Sequence, residues 1–171
     1  MAPTSYAIAI GSNRRHGRHG GPDHIIRAAM AALAEAGLRI IAVSPILRTR
    51  ALGPAGRGFA NAAAIIETPL DPPALLALLK GIERSFGRRP GRRWGPRVLD
   101  LDILLWSQGD WPPRPRAAAP GRLHIPHRDL AQRDFVLTPL GAMAPSLREA
   151  GMGQDIRHLI ARLRRRAPIS G

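Results

Sequence analysis

The chain has 171 residues, no cysteine and a formal charge of +14. Such a length can bury a real core, the missing cysteine excludes disulfides and thiolate metal sites, and no apolar run approaches the roughly 20 residues of a membrane span. Lys80 is the sole lysine, so arginine carries the charge, which suits nucleic acid or a small phosphorylated substrate, although abundant Arg, Ala, Gly and Pro together also match biased codon usage.

Tyr6-Ala7-Ile8-Ala9-Ile10 alternates as a first strand, and Gly11-Ser12-Asn13 reads as the turn ending it. After a glycine-rich loop, Pro22-Asp23 opens a helix with an apolar stripe at Ile26, Ala29, Met30 and Leu33, and Gly37 is placed to stop it. Arg39 to Leu47 resumes a strand, interrupted at Ser44-Pro45, which suits an edge or a bulge. Arg48 to Gly58 lacks periodicity and is expected to be a mobile loop. Phe59 to Glu67 is a third strand. Asp71-Pro72 then caps a second helix, striped by Leu75, Leu76, Leu79 and Ile82 and ending near Phe86-Gly87.

An arginine-rich run, an acidic strand and a proline-rich connector from Ser107 to Gly121 come next. Helices are expected over Phe135 to Ala144 and Asp155 to Arg164, with a solvated basic tail from about residue 162. The order β-α-β-β-α-β favours an α+β fold, a ferredoxin-like two-layer core with a mostly antiparallel sheet and flanking helices, in one domain over 1–171.

The chemistry concentrates between Arg88 and Asp102. Side chains two apart on a strand share a face, so Val98, Asp100 and Asp102 line one side while Leu99, Leu101 and Ile103 enter the core. Two carboxylates held close repel unless a proton or cation lies between them, and magnesium suits such hard oxygen ligands. A bare Asp-Leu-Asp is more often a pair of solvent-facing acids. Here Arg88, Arg89, Arg92, Arg93 and Arg97 crowd just upstream, and guanidinium forks match phosphate oxygens. Cations for phosphate beside carboxylates for magnesium are the two halves of a phosphoryl-transfer site. Neither a Walker-type loop nor the protein-kinase signatures occur.

Arg93-Trp94-Gly95-Pro96-Arg97-Val98-Leu99-Asp100-Leu101-Asp102-Ile103-Leu104-Leu105 closely resembles the signature of the 6-hydroxymethyl-7,8-dihydropterin pyrophosphokinases of folate synthesis. The resemblance extends through Gly11-Ser12-Asn13, Arg48-Thr49, Leu52-Gly53-Pro54, Phe59-Ala60-Asn61-Ala62-Ala63, Ile82-Glu83, Leu123-His124-Ile125-Pro126-His127 and Arg133-Asp134-Phe135. It implies transfer of pyrophosphate from ATP to the pterin hydroxymethyl group, giving AMP, with two Mg2+ ions held by Asp100 and Asp102. Arg88 and Arg97 join the aspartates as the catalytic set. Glu83, Arg92, Trp94, Arg97, Arg122, His127 and Arg133 are implied for ATP. Thr49, Leu52, Phe59, Asn61, Trp94 and Phe135 are implied for the pterin, Phe59 and Phe135 by stacking and Asn61 through an amide that both donates and accepts.

Two departures stand out. The segment between Gly53 and Phe59 is short and lacks the family's acid-amide-proline stretch, and the arginine loop is about one residue short, so which loop arginine meets which phosphate stays open. The resemblance implies a cytoplasmic monomer acting on small molecules, with no nucleic-acid or membrane partner. A basic α+β nucleic-acid-binding module is the alternative, weakened by the absence of an RNA-reading aromatic run. A related phosphotransferase for another heterocycle also remains open.

Overall fold

A computed structural model of the chain describes residues 2–12, 21–49, 58–87, 98–113 and 122–152, with His158, Ala161 and Arg165. Its elements are β1 (Thr4–Ser12), α1 (Pro22–Glu35), β2 (Arg39–Val43), β3 (Leu47–Thr49), β4 (Phe59–Thr68), α2 (Pro72–Ser85), β5 (Asp100–Trp106), α3 (Asp134–Ala142) and α4 (Ala144–Glu149). The strands form one antiparallel sheet in the order β2-β4-β1-β5, with β3 pairing on β4 beyond β2. This is the split β-α-β strand order that the sequence implies, with its second strand broken in two.

The break has a local cause. Pro45 brings no backbone N–H, and Ser44 repairs the ladder twice: its N–H donates to the Ala63 carbonyl at 2.8 Å, and its Oγ accepts the Ala63 N–H at 2.8 Å. β3 then resumes against Phe59 to Asn61 and runs two residues into the segment expected as loop. The rest of that expected loop, and the expected helix and tail from Asp155 onward apart from three positions, lie outside the described residues save for Gly58.

Helix ends obey their residues. Pro22 and Pro72 occupy first turns, where a missing N–H costs nothing, and the Asp71 carboxylate accepts the Ala74 N–H at 2.9 Å. Gly37 and Gly87 leave the two helices at φ of 90° and 92°, where other residues pay a steric cost. Ile25, Ile26, Ala29 and Leu33 from α1 join Leu75, Leu79 and Ile82 from α2 over one face of the sheet. Each fully buried leucine or isoleucine there contributes roughly 1.5–3 kcal/mol relative to exposure.

The other face is divided. Ala7, Ala63, Ile65 and Leu104 pack beneath Val136, Leu137, Leu140 and Leu147 of α3 and α4, while the remainder is open among the described residues. The helix expected over Phe135 to Ala144 is α3, with Pro139 inside it, and a further short helix, α4, follows with Pro145 in its first turn. Val98 also departs from expectation. β5 begins only at Asp100, and Val98 packs with the helix-covered core instead of lining the aspartate face.

The two ends of β5 are out of phase. Leu105 opposes Ala7 and Ile103 opposes Ile8, so Leu104 is an extra residue and the strand switches sides there. Leu104 follows Asp102 onto the α3 face, Leu105 stays on that face opposite Ala7, and Trp106 crosses to the α1 face to stack on Tyr6 with ring centroids 5.8 Å apart.

Tyr6 is fully buried and its hydroxyl donates to the Leu70 carbonyl at 2.7 Å. Burial is the main reason its phenol is pushed up from 10.0 to about 12. A raised acid favours the protonated fold, so this contribution is complete below pH 10 and is lost as pH climbs through about 12. Tyr6→Phe should cost about 1 kcal/mol at neutral pH and flatten the alkaline fall in stability, as read by urea unfolding across that range.

Candidate active site

The open part of the second face is a short grid of registered residues. On β1, Gly11 lies between Asn61 of β4 and Asp100 of β5, and Ala9 lies between Ala63 and Asp102. Directly paired residues in antiparallel strands share a face, so Asn61, Asp100 and Asp102 project to the same side across a floor of glycine and alanine. On the far edge Leu47 pairs with Asn61 and Thr49 with Phe59, which brings Thr49 and Phe59 to this side too.

Gly11 carries a constraint that its reading as a turn missed. It belongs to a central strand, and a Cβ built there would lie 2.9 Å from the Asn61 Oδ1. Its lack of a side chain lets the Asn61 amide occupy the space above the strand. The available signal was a glycine closing an alternating run, which marks close approach as often as a bend.

Asp100 and Asp102 are half-buried on β5. The Asp102 carboxyl is held above the usual carboxylate range, first by burial and then by the Asp100 charge, while His127, Lys80 and Arg133 pull the other way. The nearest described cation is Arg133, whose Nη1 is 3.7 Å from the Asp102 Oδ2. Arg133 also donates to Asp129 at 3.3 Å and places its guanidinium 5.9 Å from the centre of the Phe135 ring. Asp129 was not anticipated, although its i, i+4 spacing to Arg133 was readable.

His127 is tied to the same strand. Its N–H donates to the Leu104 carbonyl at 3.0 Å, on the outer edge of β5, and its Nδ1 accepts the Asp129 N–H at 3.2 Å. That second bond assigns the neutral ring's proton to Nε2, leaving a donor on the far side. Phe135 at the start of α3 is 41% exposed and Phe59 is 40% exposed, so both rings present accessible faces where core phenylalanines would not. Thr49 and Phe59 also border a cavity of about 560 Å3 reaching the first turn of α1.

Not every expected residue belongs to this surface. Glu83 is fully buried beneath β5, where its Oε1 accepts the Leu101 N–H at 2.8 Å and the Lys80 ammonium at 3.0 Å. A direct nucleotide contact does not fit that position. Arg122 is exposed and forms no ion pair among the described residues. Leu52, Arg88, Arg92, Trp94 and Arg97 lie outside the described residues.

The donor set suits magnesium. Two carboxylates project from alternate positions of one strand, and no third His, Cys, Asp or Glu forms a metal-holding group with them among the described residues. Magnesium accepts one or two carboxylates and completes its shell with water and substrate phosphate oxygens, so an all-protein cage is not required.

The family model for 7,8-dihydro-6-hydroxymethylpterin-pyrophosphokinase matches residues 7–145. The chain is 41% identical over 145 residues to the 2-amino-4-hydroxy-6-hydroxymethyldihydropteridine pyrophosphokinase of Pseudomonas aeruginosa, covering 82% of this chain and 81% of that one. The protein of the same name from Haemophilus influenzae is 38% identical over 146 residues, 84% of this chain and 83% of its own. The Synechocystis relative is 38% identical over 125 residues, 73% of this chain but only 60% of that longer protein. Matched from the first central strand through α3, with the aspartate strand inside the match, the chain belongs to the 7,8-dihydro-6-hydroxymethylpterin-pyrophosphokinase family.

Proposed function

We propose that the protein transfers the pyrophosphoryl group of ATP to the hydroxymethyl group of 6-hydroxymethyl-7,8-dihydropterin, releasing AMP. The hydroxymethyl oxygen forms a bond to the β-phosphorus, the bond from that phosphorus to the α,β-bridging oxygen breaks, and AMP leaves with that oxygen. The observation that carries this reading is the grid itself: a heterocycle-sized polar contact, Asn61, lies one strand away from Asp100 across a side-chain-free Gly11.

Asn61 offers a donor and an acceptor for the edge of a pterin ring, and the exposed faces of Phe59 and Phe135 suit stacking on a flat heterocycle. Asp100 and Asp102 would hold two Mg2+ ions. When bound, these ions neutralise phosphate charge and withdraw electrons from the phosphorus under attack. Arg133 and His127 offer cationic and N–H donors beside the aspartates for phosphate oxygens. The arginine loop, with Arg88, Arg92 and Arg97, supplies further forks for the same anion. No side-chain nucleophile is needed, so the work of the chain is positioning and charge neutralisation.

Family membership favours this reading over the nucleic-acid-binding alternative that the +14 charge raised. No described helix is long and apolar enough to cross a membrane. A cytoplasmic monomer acting on two small molecules goes with this reading.

The decisive assay incubates the protein with ATP, Mg2+ and the hydroxymethylpterin and separates the products. AMP and pterin pyrophosphate in equal amounts support the reading; ADP, or no pterin product, defeats it. Asp100→Asn or Asp102→Asn should lower turnover by about a hundredfold or more while the circular-dichroism spectrum stays unchanged.

The same substitution has an opposite effect on stability. Because the Asp102 carboxyl is raised in the fold, the native state binds its proton more tightly than the unfolded chain does. Its ionisation therefore works against folding above the usual carboxylate range. In the metal-free protein Asp102→Asn should raise Tm at pH 7, with the gain vanishing in acid, where the native carboxyl is already protonated.

Asn61→Ala is expected to weaken pterin binding about tenfold or more with little effect on ATP, since it deletes hydrogen bonds to one ligand only. Gly11→Ala should reproduce that selectivity without touching either ligand, because its Cβ would collide with the Asn61 amide. Isothermal calorimetry with each ligand separately decides; equal losses for both would remove Asn61 from the pterin contact.

A further inference from the structure

The residue between the two aspartates is held from below. Leu101 lies on the outermost strand of the sheet, and its N–H points away from β1. An edge amide of this kind normally meets water. Here it meets the Glu83 carboxylate of α2 at 2.8 Å, on a side chain with no solvent exposure, and that carboxylate also takes the Lys80 ammonium at 3.0 Å.

A buried carboxylate on the helix layer directly beneath a pair of like charges is a costly choice for stability, since desolvation opposes it and well-packed apolar residues commonly do better. Lys80 supplies the counter-charge and is the only lysine in a chain with 26 cationic residues. A lysine presents a compact ammonium that fits beside one carboxylate oxygen, where a planar guanidinium demands a wider, two-pronged partner. Further along the same outer edge, the Leu104 carbonyl accepts the His127 N–H at 3.0 Å. The stretch carrying both aspartates is thus fastened at two points on a side where no strand lies among the described residues.

We propose that Glu83, neutralised by Lys80, is the positioning residue for the metal-binding strand. Its carboxylate clamps the Leu101 amide and thereby fixes the spacing and direction of Asp100 and Asp102, without itself contacting nucleotide. This inference rests on the reading of the aspartates as metal ligands. A ligand pair needs its orientation set from outside, and partners of that kind are worth about 10–100-fold in metal affinity.

The test measures Mn2+ binding by electron paramagnetic resonance in the presence of a non-hydrolysable ATP analogue, together with steady-state kinetics. The chains compared are wild type, Glu83→Gln, Glu83→Leu, Lys80→Met and, as control, Asp102→Asn. Glu83→Leu should weaken Mn2+ binding about tenfold or more and leave the KM for the pterin within about twofold. Glu83→Gln keeps an oxygen for the Leu101 amide and should recover most of that loss, as should Lys80→Met, which keeps the carboxylate. Equal losses in all three would assign the effect to disruption of the buried ion pair as a whole, not to the oxygen on the Leu101 amide, and overturn the clamp.

Should Glu83→Leu not fold, the Leu101 amide proton gives an independent reading. A carboxylate-bonded amide resonates downfield, and in the wild type it should stay there when Mg2+ and the ATP analogue are added. Movement to an ordinary amide position on nucleotide addition would mean that Glu83 leaves the strand for the ligand, which overturns the proposal. Unchanged Mn2+ binding in Asp102→Asn defeats the metal assignment itself, whereas a loss there with none in Glu83→Leu defeats only the positioning role.

Discussion

Like-charge repulsion between Asp100 and Asp102, on a strand that cannot let them separate, is the constraint around which this molecule is arranged. β5 fixes their spacing through period-2 geometry, and burial keeps water from screening them. The groups that offset the repulsion come from three other places in the chain: the Lys80 ammonium on α2, the His127 ring beside the strand edge, and the Arg133 guanidinium just before α3. Each of these depends on the fold for its position. In the proposed reading, the same repulsion is what a divalent cation held by the two carboxylates would offset.

The sheet separates stability from function by face. Toward α1 and α2, large side chains such as Tyr6, Ile8, Leu75, Leu79 and Leu101 are fully buried and supply the apolar core. Toward the other side the central strand offers Ala7, Ala9 and Gly11, which bury little area and contribute correspondingly little. That thin floor lets Asn61 and the aspartates stand close together over the backbone. α3 and α4 cover the part of it nearest Ala7, Ile65 and Leu104, so the open surface is bounded rather than a whole sheet face. The bulge at Leu104 marks the boundary, since beyond it Leu105 stays under α3 and Trp106 crosses to the α1 face.

Much of this was readable from residues because the relevant signals are short-range. The Asp-Leu-Asp alternation, the Asp71 cap, the Gly37 and Gly87 exits and the β-α-β-β-α-β order each depend on a few neighbouring residues, and the structure keeps all of them. Where the reading went astray, the deciding partner was distant in sequence. Gly11 looks like a turn until Asn61 and Asp100 flank it. Glu83 looks like an exposed helix residue or a ligand contact until the Leu101 amide, 18 positions away, is placed above it. Val98 fits the aspartate stripe only if the strand begins before Asp100, and strand starts are set by pairing, which a single run of residues does not encode.

The charge of the chain acquires a different meaning once its positions are separated. A total of +14 would favour any polyanion, with affinity that falls as salt rises. Yet among the described residues the cations nearest the site are paired: Lys80 is committed to Glu83, and Arg133 is shared among Asp102, Asp129 and the Phe135 ring. Arg133 is held by acids on two sides, and a paired guanidinium is pre-oriented, so in the proposed reading a phosphate would meet a donor already fixed in place instead of a flexible side chain that must be ordered on binding. On that reading, specificity for a compact, metal-complexed polyphosphate over an extended nucleic-acid backbone would come from geometry: Arg133 stands beside two aspartates, where a ligand bringing its own cation would not add to the repulsion.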